Sequence, residues 1–67
     1  MSREKAAYRL VLESLVDFMS ARGGGHVMTI NMVSEFTGRS PRTCVKHYGI
    51  TKAGITIERL AMILSGL

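Results

Sequence analysis

At 67 residues the chain has room for one domain with one modest core, near the lower size limit for folding without staples. Hydrophobic residues make up 46% of it, too many for a disordered segment, and the formal charge is +4. A single cysteine, Cys44, excludes an internal disulfide, and Cys44, His26 and His47 are too few for an ordinary zinc cluster.

The longest apolar stretches are interrupted by Arg9, Glu13 and Asp17, so no run of about 20 apolar residues is available to span a bilayer. Residues 1–5, Met-Ser-Arg-Glu-Lys, lack the apolar block of a secretory signal. A cytoplasmic protein without membrane association is the expectation.

Residues 2–21 read as the first helix. Ser2 is a candidate cap, and Tyr8, Val11, Leu12, Leu15, Phe18 and Met19 recur at three- and four-residue spacing opposite Arg9, Glu13, Asp17 and Ser20. This apolar arc is wide enough to meet two partner helices, so residues 1–22 are assigned to scaffold. Gly23, Gly24 and Gly25 end the helix and form a flexible connector. They lack the Lys-Ser/Thr of a phosphate-binding loop and the strand-helix context of a dinucleotide site.

Thr29 is placed to cap a second, short helix over residues 30–37, with Ile30, Val33 and either Phe36 or Thr37 facing inward. Gly38 breaks it, and Ser40-Pro41 supplies a cap and a first helical residue with a preset torsion. A third helix is expected from Pro41 to Tyr48, with Cys44 and then His47 or Tyr48 packed inward. In such a helix pair the turn needs a residue that tolerates positive φ, and the first helix needs a small residue under the second; Gly38 and Ser34 fit those positions.

Residues 49–57 carry β-branched residues on both sides of a short Gly-containing turn and predict a small hairpin, or wing. Thr56 then caps a last helix over residues 57–65, built on Ile57, Leu60, Ala61, Ile63 and Leu64 and closed by Ser65-Gly66. The expected fold is a mainly all-α single domain of four helices with a short β-hairpin wing.

Charge is distributed unevenly. Between Glu35 and Glu58 there is no carboxylate, whereas Arg39, Arg42, Lys46 and Lys52 all fall there. Residues 3–22 are nearly balanced. A local basic surface of this kind attracts polyanions. Arg42 and Lys46 lie four apart on one helix face, and the positive end of the third helix at Ser40 to Arg42 can meet a phosphate.

The run Val33-Ser34-Glu35-Phe36-Thr37-Gly38-Arg39-Ser40-Pro41-Arg42-Thr43 resembles the opening of the MerR-like and excisionase-like helix-turn-helix proteins. The resemblance covers about a third of the chain, residues 29–48. It implies a small winged helix-turn-helix domain that binds DNA, and in the excisionase-like group a factor of a phage or mobile element that bends DNA or recruits a recombinase. It places Ser40, Arg42 and Thr43 at the DNA-facing start of the recognition helix.

The candidate DNA-binding residues are therefore Arg39, Ser40, Pro41, Arg42, Thr43, Lys46 and Lys52. Arg42, Thr43 and Lys46 are assigned to base or phosphate, Arg39 and Ser40 to phosphate, and Lys52 on the wing to the backbone or minor groove. No paired carboxylates, metal-ligand spacing or nucleophile triad is present, so neither an enzyme nor a cofactor is expected. Cys44, three residues from His47, reads as core, His26 as a solvated loop residue and the five methionines as gap fillers.

The function expected is sequence-preferring binding of double-stranded DNA by a transcriptional regulator or excisionase-like factor. A second copy of the chain or a protein such as a recombinase would be the further partner. The alternative is a protein-interaction adaptor that uses the apolar faces of the first and last helices.

Overall fold

The computed structural model describes residues 3–66, with side-chain environments from Ala6 onward. It contains four helices and one pair of short strands: α1 (Arg3–Ser20), β1 (Val27–Met28), α2 (Ile30–Thr37), α3 (Pro41–Tyr48), β2 (Ile55–Thr56) and α4 (Ile57–Ser65). The mainly helical class with a small β element is as expected. The proposed cap Ser2 lies outside the described residues.

The helix boundaries follow from local chemistry. Thr29, Ser40 and Thr56 each have extended backbone and accept the amide of the third residue onward: Met32, Thr43 and Arg59. Each cap satisfies one amide that a helix start leaves orphaned. At the other ends Gly38, Gly49 and Gly66 adopt left-handed φ of 76°, 66° and 82°, a conformation that costs glycine little.

The core draws on every element. Leu15 and Met19 of α1, Met28 of β1, Val33 of α2, Cys44 and Tyr48 of α3, Ile50, Ile55, and Ile57, Leu60 and Ala61 of α4 are buried. Tyr8, Val11, Leu12 and Phe18 are half-buried against this cluster, so the apolar arc read from α1 is the face that packs, chiefly on α4. Burial of each large side chain contributes about 1.5–3 kcal/mol, which matters in a chain this short.

The β element differs from the expectation in its pairing. The turn Thr51–Gly54 is present and closes through a single bridge, with the Gly54 amide donating to the Thr51 carbonyl at 2.9 Å. The strand leaving it, however, does not form a ladder with residues 50–51. It runs antiparallel to β1, Val27 facing Thr56 and Met28 facing Ile55, and the Ile57 amide extends the ladder by donating to the His26 carbonyl at 2.8 Å. Val27 and Met28, for which the sequence predicts no strand, thus supply one. Pairing β1 with β2 joins the chain just before α2 to the chain after α3. The α2–α3 pair is thereby closed at its base.

Gly54 makes that closure possible. Its φ is +90°, and a Cβ there would collide with the Met28 backbone carbonyl and approach Val27 Cγ1 at 3.0 Å. Only a residue without a side chain lets the turn sit against β1.

The end of α1 is fixed to α2 by Arg22. Its guanidinium lies 3.6 Å from the centroid of the Phe18 ring, donates to the Phe18 carbonyl at 3.1 Å and pairs with Glu35 at 2.7 Å. Phe18 in turn meets Phe36 edge-on, with centroids 5.3 Å apart. Among the described residues no helix is long and apolar enough to cross a membrane.

Candidate nucleic-acid interface

The turn between α2 and α3 is Gly38-Arg39-Ser40, and four of its backbone groups have hydrogen-bond partners. The Gly38 amide donates to the Ser34 carbonyl at 2.9 Å, and the Arg39 amide to Thr37 Oγ1 at 3.3 Å. Ser34 Oγ donates to the Arg39 carbonyl at 2.5 Å, and the Ser40 carbonyl accepts the Cys44 amide at 3.0 Å. These four bonds hold the short turn in place. The Arg39 main chain is held on both sides while its side chain stands in solvent.

Ser34, expected only to be small, therefore also ties the turn through its hydroxyl. Thr37, expected only as an inward residue, performs the same service, and donates its own hydroxyl proton to the Val33 carbonyl at 2.8 Å. The available signal was their position: Ser and Thr in the last turn of a helix readily bond nearby backbone.

At the start of α3, Ser40 Oγ accepts the Thr43 amide at 3.3 Å and donates to Thr43 Oγ1 at 2.8 Å. Its proton being spent on Thr43, the Thr43 hydroxyl hydrogen is left free to point outward. Pro41 has no amide hydrogen, and the Thr43 and Cys44 amides are taken by the cap. The Arg42 and Ser40 amides have no hydrogen-bond partner among the described residues.

Cys44 and Tyr48 form the buried face of α3. Of the two inward candidates one turn after Cys44, Tyr48 is the buried one; His47 is exposed, its ring edge-on to Tyr48 at 5.6 Å. The Cys44 thiol is fully buried, 3.5 Å from Thr37 Oγ1. It packs the α2–α3 contact, as the sequence suggested, and is shielded from solvent. At about 100° per residue, Arg42 and Lys46 point away from this buried face, with Thr43 on one side of them and Val45 on the other.

All seven candidate residues, Arg39, Ser40, Pro41, Arg42, Thr43, Lys46 and Lys52, are exposed. The structure brings Ser40 and Thr43 into direct contact and sets Arg42 and Lys46 one turn apart on one face. Lys52 belongs to a separate turn, the one seated on β1, and among the described residues no hydrogen bond or ion pair joins it to α3.

The electrostatics sharpen the sequence pattern. Glu35 and Glu58, the carboxylates that bound the basic segment, both have partners elsewhere: Glu35 pairs with Arg22 at 2.7 Å, and Glu58 lies 3.5 Å from His26 Nδ1. Arg39, Arg42, Lys46 and Lys52 enter no ion pair among the described residues. Lys46 also stands in the last turn of α3, where a cation opposes the negative end of the helix. Among the described residues no group of three His, Cys, Asp or Glu side chains is placed to hold a metal.

No protein-family model matches the chain, and no curated protein or solved structure shows significant similarity to it, so the reading of this surface stands on its own chemistry and geometry.

Proposed function

We propose that this chain is a double-stranded DNA-binding module of the winged helix-turn-helix type, with α3 entering the major groove. The observation that carries this reading is the outward face of α3. It presents Arg42 and Lys46 opposite buried Cys44 and Tyr48, from a turn held by four hydrogen bonds, in a segment without carboxylates whose bounding Glu35 is paired with Arg22. Arg39 and the N-terminal turn of α3 contact phosphates, Arg42, Thr43 and Lys46 face the groove floor, and Lys52 contacts the backbone beside it. The resemblance of residues 33–43 to excisionase-like and MerR-like proteins supports a regulator or excisionase-like factor of a phage or mobile element, acting in the cytoplasm.

The test is the salt dependence of duplex binding. Four or five phosphate contacts give a slope of about −4 in log K against log salt, and a salt-independent interaction overturns the reading.

A second reading has its own observation. Leu10 (65% exposed) on α1 and Met62 (47%) on α4 leave apolar surface on the two scaffold helices. An adaptor that binds a protein, a second copy or a recombinase, through that surface predicts unchanged partner binding in Arg42→Ala and Lys46→Ala, and no measurable DNA affinity in the parent.

A further inference from the structure

The charged side chains on the outward face of α3 offer one kind of chemistry. Arg42 and Lys46 are donors only. Thr43 Oγ1 accepts from Ser40 and keeps one hydrogen and one lone pair, so it adds no strong preference of its own. Val45 is 38% exposed beside Arg42 and offers methyl groups. His47 lies on the far flank, its ring against Tyr48. From residue 36 to residue 57 there is no Asn, Gln, Asp or Glu.

That absence has a consequence for base recognition. In the major groove guanine shows two acceptors, O6 and N7, and thymine shows O4 and a methyl group, whereas cytosine shows an amino donor and adenine an amino donor beside its N7 acceptor. The usual partners of those amino groups are the side-chain amides and carboxylates that this segment lacks. Against Arg42 and Lys46 an amino group is a donor facing a donor. Unpaired polar contacts of that kind are how an interface rejects a competitor.

Resting on the DNA-binding reading, we propose that α3 reads keto edges: guanine and thymine in succession on one strand, with Arg42 on a guanine and Val45 against a thymine methyl. Lys46, about 6 Å further along the helix axis, reaches a second keto oxygen one to two base pairs away. The selectivity comes as much from the missing acceptors as from the donors present.

The experiment is selection of bound sites by the full chain from a random duplex pool, followed by anisotropy titration of the best site and two modified copies. One copy replaces guanine by 7-deazaguanine, which removes N7, and the other replaces thymine by uracil, which removes the methyl. The expected site holds a run of at least three keto bases on one strand. The 7-deazaguanine duplex should bind about tenfold more weakly. Uracil should cost roughly fourfold, the worth of one buried methyl, in the parent and nothing in Val45→Ala. Salt-dependent binding with invariant steps that mix keto and amino bases on a strand, or with full affinity for both modified duplexes, overturns this inference and leaves the DNA-binding reading standing. Absence of binding to every duplex overturns both.

Discussion

The two outward surfaces of this small domain are unlike each other. The α1–α4 layer exposes apolar side chains, Leu10, Val16, Met62 and Ile63, and its carboxylates stand among its cations. The α2–α3 pair buries Val33, Cys44 and Tyr48, and its exposed α3 face carries cations and no carboxylate, the one carboxylate of the pair, Glu35 on α2, being bonded to Arg22. The layer with the larger contact, α1 on α4, holds the fold together. The smaller pair, closed at its base by β1 and β2, carries the proposed DNA-facing surface. Division of labour therefore predicts that stability and DNA affinity respond to different substitutions.

The sharpest way to break that division is Leu60→Ala. Leu60 is fully buried in α4, and its truncation should cost about 3 kcal/mol, the range seen for buried leucines. A domain of this length has stability on the order of 5 kcal/mol, so most of its margin goes, as urea denaturation followed by far-UV circular dichroism would register. DNA affinity measured on the fraction still folded should stay the same. An affinity loss in that fraction would mean that α4 shapes the interface.

Gly54→Ala comes next, at about 2–3 kcal/mol, because it combines a left-handed backbone with a collision at the Met28 carbonyl. This substitution tests the hinge between the two regions. If β1 and β2 really close the α2–α3 pair, hydrogen exchange should accelerate at the Ile57 amide, whose bond to His26 belongs to that ladder. Unchanged stability would show that the turn tolerates displacement from β1.

Arg42→Ala and Lys46→Ala sit on the other side of the comparison. Each should leave stability within about 0.5 kcal/mol, as exposed residues outside any ion pair do. Arg42→Ala should weaken duplex binding by 1–3 kcal/mol and relax preference at one base, and a substitution that costs stability but not affinity would reverse the assignment.

The two regions also differ in how far they could be read from the sequence. Helix limits were legible throughout because they depend on neighbours: Thr29, Ser40 and Thr56 bond amides three residues away, and Gly38, Gly49 and Gly66 end helices through their own torsions. The outward face of α3 was legible for the same reason, since Pro41 fixes the start of the helix and Cys44 its buried side. The β1–β2 ladder was not, because two-residue strands carry no alternation and their partners are far apart in the chain. Glycine 54 looked like any turn glycine, and only its approach to Met28 shows why it must be one. Nor did charge patterning reveal that Arg22 draws off Glu35, a contact that joins different elements.

Ser40→Ala carries the smallest expected effect and bears on both regions at once. The hydroxyl caps the Thr43 amide and holds the Thr43 side chain, so its loss should cost about 1 kcal/mol of stability. It also frees Thr43 Oγ1 to rotate. If the Ser40–Thr43 bond orients the Thr43 hydroxyl toward DNA, the double variant Ser40→Ala/Thr43→Val should bind no more weakly than Thr43→Val alone. If Ser40 instead meets a phosphate itself, the double variant should lose affinity beyond either single change and flatten the salt slope by about one unit. The double-mutant cycle thus separates a cap that merely ends a helix from a hydroxyl that touches the ligand.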